Sequence, residues 1–275
     1  IIIALIFAFG LFLLWQNKHS RSVVRLLYSA SLANYDVSTA TIHVNRYLDY
    51  EAQADYDAGE IFLDSAQSRL EIAASLSSGI NEEEGYNYVL NSSKELEKFR
   101  ELVKSVPSTM AKNAEDIVAV TGGVEDILNA VRRLETVPSA LMLGVCRGAS
   151  YFQDYLRDDN VKALEDCIEL FKNFASTTTN AEIANHIQRV TDALAVLYKQ
   201  AKLTVELRDE IAAQSKLCSD LLDDISEYFV DVYKIDYQSI FFYTLFVLIA
   251  IILFSIIISQ YTATTVTRAL KQGVE

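Results

Sequence analysis

The chain has 275 residues, a formal net charge of -13 and 51% hydrophobic residues, with only nine Gly and two Pro. So few breakers exclude a turn-rich sheet fold and point to long helices. The acidic balance makes nucleic acid an unsuitable partner, because a phosphate backbone would be repelled.

Residues 1–15, "IIIALIFAFGLFLLW", carry no charge. They are too short to span a bilayer alone, and the chain starts at Ile, so they are read as the end of a first membrane helix, residues 1–16. A cleaved signal peptide is the alternative, disfavoured because no small-residue cleavage site follows. From Asn17 to about Ser78 only Gly59 interrupts an apolar pattern without proline, which predicts one helix of roughly 60 residues, about 90 Å long. Gly79 suits its C-cap, and the acidic run at 82–84 suits the start of the next helix. A second helix is expected from about Glu84 to Val106, broken by Pro107. A third follows from Ser108 to Glu135. Pro138 opens a fourth that ends near "RDDN" at 157–160, and a fifth spans about Val161 to Ala175. "STTTN" is a polar loop with a capping residue. The sixth helix runs from about Ala181, on a heptad-like apolar line, into "IFFYTLFVLIAIILFSIII" at 240–258, which is long enough to cross a membrane. Cys146, Cys167 and Cys218 are read as small buried thiols that leave the redox compartment open.

These lengths predict an all-α fold. Two long helices, the first and the sixth, are expected to be flanked by two pairs of short ones, giving two stacked four-helix bundles between two transmembrane helices. The expected boundaries are a sensor region at 17–238, a second span at 239–260 and a following segment at 261–275. Within the sensor region a proximal module uses about 20–48, 107–157 and 208–237, and a distal module about 49–106 and 159–207. Both chain ends then lie on one side of the membrane. Arg268 and Lys271 suit a cytoplasmic tail, whereas Lys18, Arg21 and Arg25 argue the other way; an outside loop is favoured because large loops cross largely regardless of charge.

This order of segments resembles the helical bimodular sensor domains of bacterial transmembrane receptors. "VNRYLDYEAQADYDAGEIFLDSA" looks like the middle of the first helix of such sensors, and "TTVTRALKQGVE" resembles the opening of a HAMP linker. Ala269 stands where those linkers commonly carry proline. The resemblance implies a dimeric receptor in a bacterial inner membrane that binds a small extracytoplasmic molecule, typically an organic acid. Its signal would pass to cytoplasmic chemotaxis or histidine-kinase domains downstream, and "LKQGVE" favours a methyl-accepting chemoreceptor.

One stretch, "NYDVSTATIHVN", supplies the candidate site. Followed at heptad spacing from Val24 and Leu27, the line passes through Ser31, Asn34, Ser38, Thr41 and Asn45 before Leu48. Buried without partners, each such group costs about 1–3 kcal/mol, so a hydrated, ligand-filled interior is expected there. Gln214, Ser215, Asn113 and Thr121 are expected at similar height. A carboxylate ligand needs a compensating cation, and Arg46 and Arg147 are the candidates. The expected binding set is therefore Asn34, Ser38, Thr41, Asn45, Arg46, Arg147 and Gln214. A solvated helix face is the competing reading of the stripe. Gly144 and Gly148, four apart, and Gly122 and Gly123 suggest close helix packing.

Catalysis is not expected. His19, His43 and His186 are isolated, Glu182 and His186 lack the paired partner of di-iron bundles, and no metalloprotease, phosphate-loop or nucleophile-elbow motif occurs. No cofactor or metal is expected either. The serious rival is a helical tether that recruits a periplasmic binding protein.

Overall fold

The computed structural model describes residues 2–80, 83–134 and 139–272, with side chains given for all of these except 2–8, Ala140, Asp236 and 266–272. Among the described residues the secondary structure is entirely helical. In chain order the helices are α1 (Ile2–Tyr50), α2 (Gln53–Gly79), α3 (Glu83–Arg132), α4 (Ser139–Asp158), α5 (Val161–Thr177) and α6 (Ala181–Gln272). The all-α class and the six helices agree with the sequence. Their breaks do not.

The expected continuous helix over 17–78 turns back on itself. Glu51 takes a left-handed φ of 53°, its N–H donating to the Tyr47 carbonyl at 2.8 Å, and α2 starts two residues later. No glycine or proline marks this turn. A left-handed residue with a side chain costs roughly 1–2 kcal/mol, and contacts across the hairpin offset it. His43 Nδ1 lies 2.8 Å from Asp55 Oδ1 and the His43 ring stacks on Phe62. Tyr47 and Tyr56 meet with ring centroids 5.4 Å apart. Gly59 lets the helices close, since a Cβ there would sit 3.0 Å from Val44 Cγ2.

The expected break at Pro107 is missing in turn. Proline removes an N–H donor, yet α3 runs through it for 50 residues. Side chains supply other bonds nearby: Ser108 and Thr109 hydroxyls donate to the Ser105 carbonyl at 2.8 and 3.1 Å, and Gln200 Nε2 donates to the Thr109 carbonyl at 3.2 Å. Helices expected as two short pieces are thus one long one, and the long helix expected first is two. Pro138 lies outside the described residues, as does Glu82 of the acidic run.

The chain divides into two compact units. One comprises 1–35, 65–93 and 219–275; the other comprises 36–64 and 94–218. The partition at 48/49 rested on a continuous first helix, and residues 36–64 instead stay together as a hairpin. In the first unit, Leu26 and Ala33 of α1, Leu70 and Ala73 of α2, Val89 of α3 and Ile225 and Phe229 of α6 are buried. A Cβ at Gly85 would come within 2.3 Å of the Phe229 ring, so α3 and α6 approach closely there.

The second unit holds a core that includes Val120, Ile127, Leu164, Phe171, Ile187 and Leu194. Its α4–α5 hairpin is tight. Cβ atoms at Gly144 and Gly148 would run into the Phe174 and Phe171 rings at 1.8 and 2.6 Å, and Cys167 Sγ donates to the Gly148 carbonyl at 3.3 Å. These glycines serve close packing, as does Gly123 against Val190. Burial pushes the Cys167 thiol up to about 12; Cys146, expected buried, is exposed. Asn180 caps α6, its Oδ1 accepting from the Glu182 and Ile183 N–H groups at 3.0 and 3.2 Å.

Within α6 lies an apolar segment, none of it buried, that is long and apolar enough to cross a membrane. Among the described residues it is the one such segment. The backbone of the expected first span is helical from Ile2, but the side chains of its first eight residues are outside the description. Phe12 packs edge-on against Tyr243 at 5.4 Å between ring centroids.

Candidate functional site

The expected binding stripe does not lie on the core line. The residues of α1 that are wholly buried are Val23, Leu26, Ala30, Ala33, Val37, Ala40 and Val44, which follow heptad spacing one residue out of step with the polar line. One residue on a helix is 100° of rotation, so the polar line runs beside the core. Ser31, Ser38 and Arg46 are exposed, and Asn34, Thr41 and Asn45 are half-buried.

What the half-buried members do is join α1 to α6. In the first unit, Asn34 Nδ2 donates to Asp223 Oδ1 at 2.9 Å and its Oδ1 accepts from the Ser219 hydroxyl at 2.6 Å. In the second, Thr41 and Ser215 hydroxyls lie 2.6 Å apart, and Thr41 also donates to the Val37 carbonyl. Gln214 turns to α3, donating to both the carbonyl and the carboxylate of Glu95 at 3.0 Å. The Lys98 ammonium first, then this amide, hold the Glu95 carboxyl below its ordinary value. Asn45 Oδ1 alone is buried with no hydrogen-bond partner among the described residues. Arg147 is exposed and lies over the Tyr151 ring, 5.8 Å from its centroid. Among the described residues neither Arg46 nor Arg147 forms a hydrogen bond or ion pair with the stripe. Thr121, expected inward, is exposed with its hydroxyl on the Ile117 carbonyl.

A cavity of about 240 Å³ lies elsewhere in the second unit. Leu48 near the end of α1 forms one wall, Met110 and Asn113 of α3 another. Tyr155, Asp158, Asp159 and Val161 come from the α4–α5 tip, and Ala201, Thr204, Val205 and Arg208 from α6. The tip is shaped by Asp159, whose φ of 51° is left-handed, a conformation that Asp and Asn tolerate better than most residues.

The polar groups here retain unused capacity. Tyr155 is 3% exposed and Asn113 7%, and their one side-chain bond is from the Tyr155 hydroxyl to Asn113 Oδ1 at 3.3 Å. The Asn113 amide nitrogen has no partner among the described residues. Arg208 uses one Nη2–H on Asp49 Oδ1 at 2.8 Å, which leaves most of its five donors free. Asp158 is held by Arg157, whereas the Asp159 carboxylate has no partner among the described residues. Burial pushes the Tyr155 phenol up; the Asn113 bond pulls it down, and the Asp159, Asp116 and Glu51 carboxylates add to the rise.

Asn113 was among the pocket donors expected from sequence; Tyr155, Asp159, Thr204 and Arg208 were not. The visible signal was "RDDN" at a predicted helix end, where Asp and Asn favour a left-handed turn. Among the described residues no three His, Cys, Asp or Glu side chains group as a metal site. No family model matches the chain, and no curated protein matches it.

Proposed function

We propose that this chain is the sensing region of a transmembrane signalling receptor, of the helical bimodular kind, that binds a small polar molecule in the Asn113–Tyr155–Arg208 cavity. One observation carries the reading. Ala201, Thr204 and Arg208 of the cavity wall and the apolar segment at 240–258 belong to the same unbroken helix, α6. A ligand that favours one position of the α6 wall therefore acts on the very element that enters the bilayer. Helix shifts of about 1–2 Å at interfaces are sufficient for switching.

In this reading residues 17–238 lie outside a bacterial inner membrane, a first span precedes them, and two copies form a homodimer. The segment after 260 begins a HAMP linker that hands the displacement to a chemotaxis or kinase output. The cavity suits a molecule of few heavy atoms, since typical ligand pockets are about 300–1,000 Å³.

The test is to fuse residues 1–275 to the HAMP and output modules of a characterised chemoreceptor and screen small polar metabolites for a kinase response. A responding compound should lose its response, yet still bind, when Ile225→Pro interrupts α6 between cavity and membrane. A response that survives this substitution intact would refute transmission along α6.

A further inference from the structure

The spare groups around the cavity specify its occupant more narrowly than "small and polar". Resting on the reading that this cavity is the ligand site, we propose that it takes a zwitterion of the free α-amino-acid class. The carboxylate binds against Arg208 and the Asn113 amide, and the ammonium faces Asp159.

Each half of that assignment answers an unmet group. Arg208 spends a single Nη2–H on Asp49, so in-plane N–H donors along an edge of its guanidinium remain for contact with a carboxylate. Asn113 is nine-tenths buried with a free amide nitrogen on the cavity wall, a donor that wants an anionic oxygen. Asp159 is the complementary case. Its neighbour Asp158 is neutralised by Arg157, but its own exposed carboxylate, which lines the cavity, has no side-chain partner among the described residues. Met110, Val161, Ala201 and Val205 give the remaining wall an apolar character suited to an amino-acid side chain.

Charge excludes the neighbouring ligand classes. A dicarboxylate would bring two negative charges to a wall that holds one arginine, already shared with Asp49, and the Asp159 carboxylate. A simple amine would satisfy Asp159 but leave the Arg208 and Asn113 donors to water. A molecule that carries both charges meets both ends.

The experiment is calorimetric titration of the whole chain in lipid nanodiscs. The probes are the free proteinogenic L-amino acids one at a time, succinate, putrescine and, for any amino acid that binds, its decarboxylated and deaminated analogues. At least one amino acid should bind, and both of its analogues should bind far more weakly. Arg208→Gln, at a half-exposed position, should weaken binding about ten- to a hundredfold. Asp159→Asn keeps a residue that tolerates the left-handed turn, so the hairpin should be retained while affinity falls about tenfold. Succinate binding that Arg208→Gln abolishes, or putrescine binding that Asp159→Asn abolishes, would overturn the zwitterion assignment and leave the sensor reading standing. Amino-acid binding that neither variant affects would place the site elsewhere and overturn this proposal. Silence across the whole panel would overturn both.

Discussion

The polar face of α1 and the wall of the Asn113–Tyr155 cavity look alike in composition, both drawing on Asn, Thr and other hydroxyl side chains, yet they are opposite in hydrogen-bonding state. Along α1, Asn34 takes Ser219 and Asp223 and Thr41 takes Ser215, and only Asn45 Oδ1 is buried without a partner among the described residues. Around the cavity, the Asn113 amide, most of Arg208 and the Asp159 carboxylate are left over. Polarity within a helical bundle therefore does not by itself mark a ligand site. Spare capacity on a cavity wall does, because a ligand there can use donors, such as the buried Asn113 amide, that no side chain among the described residues has taken.

That contrast can be broken from either side. The largest effect should come from Gly148→Val, which drives a side chain into the buried Phe171 ring and separates α4 from α5. Overpacking of this kind costs about 3 kcal/mol at the upper end of its usual range. Urea unfolding should show the loss, and ligand affinity should fall with it, because the hairpin carries Tyr155 and Asp159. Asn34→Leu should cost less, about 1–2 kcal/mol for two bonds to partly exposed partners. Ligand affinity should not change. If Asn34→Leu weakened ligand binding as much as Arg208→Gln does, the distinction between seam and site would be wrong.

A double-mutant cycle on Thr41→Val and Ser215→Ala should return a coupling of about 1 kcal/mol or less, the worth of one neutral hydrogen bond. Acid should produce the smallest effect. The Glu95 carboxyl is held below its ordinary value, so its contribution is complete above about pH 4.3 and is lost as pH falls through the lower folded value. Gln214→Leu should therefore shallow the acid side of the stability profile. The change should be small, because Lys98 supplies the larger part and the site is open to solvent.

Much of the helix inventory was legible in the sequence. The starts of α5 and α6, the Asn180 cap and the end of α4 near Asp158 fall where turn and capping residues predict them. The α1–α2 turn was not legible, because Glu51 adopts a glycine-like conformation without being glycine, held by contacts such as His43–Asp55 that no local pattern announces. Pro107 misled in the other direction: the strongest local breaker was overridden within a long packed helix.

The phase of α1 failed for a different reason. Its buried line is largely Ala and Val, residues whose signal is weak beside the exposed Val24, Tyr28, Tyr35 and Ile42, and a shift of one residue rotated the reading onto the seam. Of the candidate site, Asn113 was readable as a polar residue on a helix expected to face inward. Arg208 and Asp159 were not, since their importance comes from a cavity formed by segments more than a hundred residues apart in the sequence.

The most direct measurement is a crystal or cryo-EM structure of the whole chain with whichever panel compound binds it. Density for that compound should lie between Arg208 and Asn113, with a hydrogen bond to each and the Thr41–Ser215 contact unchanged. Density instead lodged along Asn34, Thr41 and Asn45, with the Arg208 cavity empty, would contradict the account.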